Sequence, residues 1–194
     1  MAQVQIYDTT LRDGTQREGI SLSVLDKLRI TQKLDELGVH FIEGGWPGSN
    51  QKDVEYFAKV KDVKLAHAKI VAFGSTRKPK AKAETDDNLR ALVGADVKFA
   101  TIVGKSSAPQ VTRVLETTPE ENLSMIADSV RFLRAKGLTV FFDAEHFFDG
   151  FKADRDYSLR CLATAAEAGA ACLVLCDTNG GTLPSDIRAT IERI

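Results

Sequence analysis

Cysteine is nearly absent from this sequence. The three present, Cys161, Cys172 and Cys176, are odd in number and follow no framework spacing, which excludes a disulfide scaffold. Cys172 and Cys176 fall four apart on one strand face; they read as small buried hydrophobes, with thiol or metal chemistry as the alternative. No apolar run approaches the roughly 20 residues that a bilayer-spanning helix needs, and the opening MAQVQIYDTT has neither the basic nor the apolar region of a signal peptide. Excess charge is missing as well. The 26 Lys and Arg against 27 Asp and Glu leave a formal charge of −1, too little to draw nucleic acid or an anionic membrane by bulk electrostatics. What remains is a soluble, cytoplasmic protein with no nucleic-acid or membrane partner. Proline is limited to 5 residues and no Pro/Gly/Ser-rich linker interrupts the chain, so a single domain over 1–194 is expected.

What the sequence does contain is regular alternation. Strand patterns fall at 4–8, 39–44, 69–74, 97–103, 138–145 and 171–177, most of them apolar almost throughout, as parallel strands buried on both faces are. Helical patterns follow at 22–37, 49–61, 84–93, 119–136, 154–168 and 185–194. Thr118 caps the fourth of these, with Pro119 at its first position and Glu121 placed to close a capping box; Ser23 with Asp26 is a weaker version. Gly38, Gly94, Gly137 and Gly169 sit where a helix ends in a left-handed residue.

Strand–helix alternation gives a parallel sheet, either open and doubly wound or closed into an eight-stranded barrel. An open sheet gathers its ligands at one switch point. Here polar groups end nearly every strand: Arg12 and Asp13, Glu43, Ser75 and Arg77, Lys105 and Ser106, Glu145, Thr178 and Asn179. That distribution fits a ring in which all the carboxyl ends converge, a (β/α)8 TIM barrel. Five repeats take about 34 residues each, so eight would need roughly 270. The expectation is therefore a barrel truncated to about six βα units, with the last two units absent.

The densest chemistry lies in YDTTLRDGTQ, residues 7–16, where two aspartates, an arginine and three threonines gather at the end of the first strand. A solvated loop needs no such density; a site holding a cation and an anion together does. This stretch, followed in order by FIEGGWPGSN, AFGSTR, DAEHFFDG and CDTNGGTLP, resembles the metal-dependent acyl-CoA condensing enzymes. That family includes the citramalate, 2-isopropylmalate and homocitrate synthases and, more distantly, the hydroxymethylglutaryl-CoA lyases. FIEGGWPGSN with DAEHFFDG is most similar to the citramalate synthase branch.

The resemblance implies a transferase that condenses acetyl-CoA with a 2-oxo acid, most simply pyruvate, and a homodimer at full length. Isopropylmalate or homocitrate synthesis, lyase chemistry in reverse, and a catalytically silent half-barrel serving assembly are the alternatives. By the same resemblance Asp13 is a ligand of a divalent metal (Mg2+, Mn2+ or Zn2+). Arg12 stabilises the enolate and alkoxide and contacts substrate, and Glu43 orients Arg12. Thr178 meets the substrate carboxylate. An acidic residue of the fifth strand, Glu145 in preference to Asp143, is catalytic. The chemistry agrees: a cation polarises the ketone, and a fixed cationic donor stabilises charge at the thioester oxygen.

Other positions stay open. Gln16, one turn beyond Asp13, contacts substrate or a water behind it. Gly44 and Gly45 permit an unusual backbone path, and Trp46 walls the pocket or plugs the barrel mouth. Asp177 and Asn179 belong to the site or simply form a turn. GKS at 104–106 is not a phosphate-binding loop, because Phe99 stands where the pattern needs glycine; Lys105 meets a coenzyme A phosphate or is solvated. His40 and His67, at strand starts, read as structural, whereas His146 lies beside Glu145. The His-x-His pair that completes the family's metal site occurs nowhere in the 194 residues. The fragment by itself is therefore expected to be inactive.

Overall fold

The computed structural model describes residues 4–194; residues 1–3 of the expected domain lie outside the described residues. Contacts gather into two compact units, one of Met1–Gly74 with Asp87–Thr101, the other of Ser75–Asp86 with Ile102–Ile194.

The first unit runs β1 (Tyr7–Asp8), α1 (Val24–Glu36), β2 (Phe41–Gly45), α2 (Gln51–Val60), β3 (Lys69–Ser75, all but its last residue), α3 (Asp87–Gly94) and the opening of β4 (Phe99–Lys105). β1 pairs parallel with β2, Tyr7 opposite Phe41, and β2 pairs parallel with β3, Glu43 opposite Val71. β2 is buried throughout, and Leu11, Ile42, Tyr56, Val71, Leu89 and Leu92 have no exposed surface.

The first strand is shorter than the pattern 4–8 predicts. Ile6 still accepts the N–H groups of His40 and Phe41 and donates its own to His40 Nδ1 at 3.1 Å, which is the structural use expected of His40. Val4 and Ile6 are nonetheless exposed. β1 ends the sheet order and has one neighbouring strand, so only its inner side is held.

Gly44 answers to crowding, and Gly45 to crowding together with the expected unusual backbone path, its φ being 154°. A Cβ on Gly44 would lie 2.3 Å from Tyr56 Cε1, and one on Gly45 2.5 Å from the Asp53 carboxyl carbon. The helix α2 packs directly on this bulged end of β2, where the register shifts between Glu43 and Gly45.

Helix ends follow the sequence with two exceptions. Ser23 and Asp26 form a complete capping box. Thr118 accepts the Glu121 N–H at 3.2 Å, but the Glu121 carboxylate closes no box, because it accepts from Arg77 and from the Lys80 N–H instead. Gly38, Gly137 and Gly169 take left-handed backbones, whereas Gly94 ends α3 and the left-handed residue is Asp96, two positions on.

Asp35, near the end of α1, fastens the turn into β3. Its carboxylate accepts the N–H groups of Ala66, His67 and Ala68 at 2.7, 2.8 and 2.7 Å. Burial works to raise its pKa, but these three donors, with the charge of His67, hold it below the ordinary carboxylate value. A depressed carboxylate contributes stability that is present above about pH 4 and is lost as the pH falls through the lowered value. Asp35→Ala is expected to cost about 2–3 kcal/mol at neutral pH in urea unfolding. The difference from the parent should narrow below about pH 4; a constant difference would assign the loss to packing.

The second unit continues β4 and adds α4 (Ala108–Arg113), α5 (Pro119–Ala135), β5 (Thr139–Glu145), α6 (Phe147–Ala153), α7 (Arg155–Ala168), β6 (Cys172–Leu175) and α8 (Pro184–Ile191). β5 and β6 are parallel, Phe141 opposite Cys172. Ile102, Ile126, Val130, Leu133, Phe142 and Phe147 are fully buried. Cys161 is buried as expected, and burial pushes its thiol up to about 12. Cys172 departs from expectation in being exposed, and Cys176 is half-buried, just past the end of β6.

β4 runs through both units, and the strand order is β1-β2-β3-β4-β5-β6. Sequential order with a helix after every strand is that of a (β/α)8 barrel, here with six βα units. Among the described residues no helix is long and apolar enough to cross a membrane.

Candidate active site

In the first unit the site is built on a turn around one carbonyl. Thr9 O accepts the N–H groups of Arg12, Asp13 and Gly14 at 3.1, 2.9 and 3.2 Å, with the Leu11 side chain fully buried as anchor. A single 3-10 turn, Gly14–Gln16, follows. The winding directs Arg12 inward, its side chain 15% exposed, and leaves Asp13 outward at 61%.

Arg12 Nε donates to Glu43 Oε1 at 2.5 Å and its Nη1 to Asp13 Oδ1 at 2.8 Å. The guanidinium carbon lies 3.8 Å from the centre of the Phe73 ring, a cation–π contact. Glu43 has no exposed side-chain surface, and its other oxygen accepts the Tyr7 hydroxyl at 2.6 Å. Tyr7 in turn meets Thr101 Oγ1 at 2.7 Å. Burial pushes the Glu43 carboxyl up, against the Arg12 charge and the Tyr7 hydroxyl, which favour the carboxylate. Arginine stays charged under all ordinary conditions, so the chain Thr101–Tyr7–Glu43–Arg12 holds a fixed cation with donors left to face a ligand.

The structure thus brings together Arg12, Asp13 and Glu43. Gln16 is exposed at the end of the 3-10 turn, its N–H on Asp13 O at 3.0 Å. Trp46 packs edge-on against Phe73 at 5.3 Å and donates its indole N–H to Asn88. Tyr7, Phe73 and Thr101 were not legible as site residues, because each sits in an apolar strand where its type is also ordinary core.

The second unit carries another polar cluster at the ends of β4, β5 and β6. Glu145 is ion-paired with Lys105, the two side chains 25% and 18% exposed. This replaces the solvated reading of Lys105. The Glu145 carbonyl accepts from the Ser106 N–H at 3.1 Å and the Ser106 hydroxyl at 2.7 Å. His146 follows in a left-handed conformation, φ 57°, and its N–H donates to Thr178 Oγ1 at 2.9 Å. That acceptance leaves the Thr178 hydroxyl hydrogen free to donate.

Asp177 closes a turn, accepting the Thr182 N–H at 3.0 Å and its hydroxyl at 2.8 Å. Asn179 donates to Asp149 at 2.6 Å. Asp177 thus forms the expected turn, whereas Asn179 reaches α6. Arg77, counted above among the polar strand ends, is structural. Its guanidinium reaches Asp128 and Glu121 at 2.8 and 2.7 Å, and its N–H meets Ser129 Oγ at 2.9 Å, all on α5.

Asp13 offers the hard oxygen donor that a divalent cation takes. Among the described residues, however, no group of three His, Cys, Asp or Glu side chains stands close enough to hold a metal ion. A single carboxylate does not make such a site, so these residues do not by themselves fit a resident cation.

Residues 3–194 match the HMGL-like family profile. The chain is 53% identical over all of its length to an (R)-citramalate synthase of Geobacter sulfurreducens, of which it covers 37%. It is 56% identical over 97% of its length to an (R)-citramalate synthase of Synechocystis sp., of which it covers 35%. The chain therefore spans about a third of the length of these curated relatives. Its fold is similar to that of a hydroxymethylglutaryl-CoA lyase from Pseudomonas aeruginosa, with a TM-score of 0.78 at 20% identity, covering 98% of this chain and 63% of that one.

Proposed function

The chain belongs to the HMGL-like family, and from that premise we propose that it carries part of the active site of an acetyl-CoA:pyruvate condensing enzyme, forming citramalate. The observation that carries the reading is the Arg12 guanidinium, fixed between buried Glu43 and exposed Asp13 and stacked on Phe73.

The reaction removes a proton from the acetyl methyl group, and the electron pair of that C–H bond becomes the enolate. The enolate carbon bonds to the ketone carbon of the oxo acid, whose oxygen becomes an alkoxide and takes a proton. Water then cleaves the thioester and releases the free thiol. Negative charge therefore appears first on the thioester oxygen and then on the former ketone oxygen. Arg12 is the fixed donor for that charge and Glu43 its orienting partner. In this reading Thr178 is the donor to the substrate carboxylate, Gln16 a substrate contact and Glu145 a catalytic carboxylate. Asp13 would supply one oxygen ligand to a divalent cation, Mg2+, Mn2+ or Zn2+, which would need further donors and, when bound, would polarise the ketone.

The test is thiol release by the product of the full reading frame that encodes this chain, with acetyl-CoA and pyruvate, 2-oxoisovalerate or 2-oxoglutarate. Pyruvate should be preferred. Preference for either of the others moves the assignment to isopropylmalate or homocitrate synthesis, and no release with any of them rules out condensation. In the same assay Thr178→Val should raise KM for the oxo acid about tenfold, the worth of one hydrogen bond to a charged group. Its KM for acetyl-CoA should hold; an equal rise in both would remove Thr178 from the oxo-acid side.

A further inference from the structure

The Lys105–Glu145 ion pair is better constrained than a strand-end pair needs to be. Its two backbones are both fixed, and fixed to each other. On the lysine side, Lys105 O accepts the Asn122 side-chain N–H at 2.8 Å, and Asn122 is fully buried and also donates to Tyr157 Oη at 2.8 Å. On the glutamate side, Glu145 O takes both the N–H and the hydroxyl of Ser106. Ser106 O is itself held by Ser158 Oγ at 2.8 Å. A Cβ on Gly150 would lie 2.6 Å from that same carbonyl, so the chain from Lys105 to Ser107 is packed against α6 with no slack. The lysine stem is drawn in to 18% exposure, with its ammonium on the Glu145 carboxylate.

Lys105 has its ammonium already on a carboxylate and its stem mostly covered, so its charge is committed to Glu145. We infer that Lys105 is a positioning residue for Glu145: a fixed cation that holds the carboxylate in one rotamer at the end of β5, leaving one oxygen to face the reacting groups. This rests on the condensing-enzyme reading above and deepens it. A carboxylate on a strand end rotates about several bonds, and a misplacement of about 1 Å costs on the order of 100-fold in rate.

The experiment uses the product of the full reading frame and two acyl donors, acetyl-CoA and S-acetylpantetheine, which lacks the nucleotide and its phosphates. Lys105→Met should lower kcat about 10- to 100-fold with both donors, with less than a twofold change in KM for acetyl-CoA. Lys105→Arg should recover most of the loss, because it restores a cation at the same place. In a Glu145→Gln background, Lys105→Met should cost little further, since the two act as a unit. A rise in KM confined to acetyl-CoA, with S-acetylpantetheine unaffected, would overturn the inference in favour of phosphate contact. Full additivity of the two substitutions, or an unchanged kcat, would overturn it as well. If Lys105→Met does not fold, Lys105→Gln takes its place in the same cycle. Wild-type protein that releases no thiol would remove the condensation reading and this inference with it; active wild type with an indifferent Lys105 would remove the inference alone.

Discussion

Arg12→Ala, in the product of the full reading frame, is expected to lower kcat for thiol release by about 1,000-fold, the scale seen when a preorganised donor to developing negative charge is removed. The guanidinium makes three contacts at once: Glu43 at 2.5 Å, Asp13 at 2.8 Å and the Phe73 ring at 3.8 Å. Lysine has neither the planar fork nor the stacking face, so Arg12→Lys should recover little of the loss. The protein should still fold. Glu43 keeps the Tyr7 hydroxyl, and burial raises its pKa, which softens the loss of the cation. Glu43→Gln approaches the same site from behind: it leaves Arg12 charged but unanchored, and should cost less than Arg12→Ala. Steady-state kinetics read both, and an Arg12→Ala protein with kcat within tenfold of the parent would show that Arg12 is not at the reacting centre.

The largest expected effect on stability lies away from the chemistry, at Lys27. Its side chain is 3% exposed and ion-paired with Asp53, and its ammonium lies 5.0 Å from the centre of the Tyr56 ring. Burial lowers the Lys27 pKa against the pull of Asp53. Asp53 also accepts the Trp46 N–H at 2.8 Å and the Asn50 side-chain N–H at 3.0 Å, so it ties the start of α2 to the end of β2. Lys27→Met leaves that carboxylate buried without its cation and should destabilise by about 3–5 kcal/mol in urea unfolding. Replacing both partners, Lys27→Met with Asp53→Leu, should return part of the loss, because no charge is then left buried alone. A single-variant cost below about 1 kcal/mol would show the pair to be solvated in practice.

The fold was largely readable because its signals are long-range and repetitive. Six apolar runs of strand length, each followed by a helical pattern, are hard to arrange otherwise, and the helix expected at 119–136 is found at Pro119–Ala135. The misses are short or relational. The helices Ala108–Arg113 and Phe147–Ala153 were not foreseen; two turns or fewer give too little periodicity to stand out. Glu121 satisfied the capping pattern in sequence, yet a buried arginine forty-four residues away outcompetes the local backbone for its carboxylate.

For the site, the strand-end density of charge and the family resemblance placed Arg12, Asp13 and Glu43, and the structure joins these three. Neither could show that Tyr7 stands behind Glu43 or that Lys105 turns to Glu145. Those are pairings between strands, and a single sequence carries no signal of which neighbour a side chain selects.

The role proposed for Asp13, held by Arg12, is that of one ligand of the cation that receives the oxo acid. It is tested most directly by titrating Mn2+ into the product of the full reading frame and following the electron paramagnetic resonance of the free ion, with and without pyruvate, for the parent and for Asp13→Asn. The parent should bind one equivalent, more tightly when pyruvate is present, and Asp13→Asn should weaken that binding at least about tenfold by removing a charged oxygen donor. Unchanged Mn2+ affinity in Asp13→Asn, with the same response to pyruvate, would contradict the assignment.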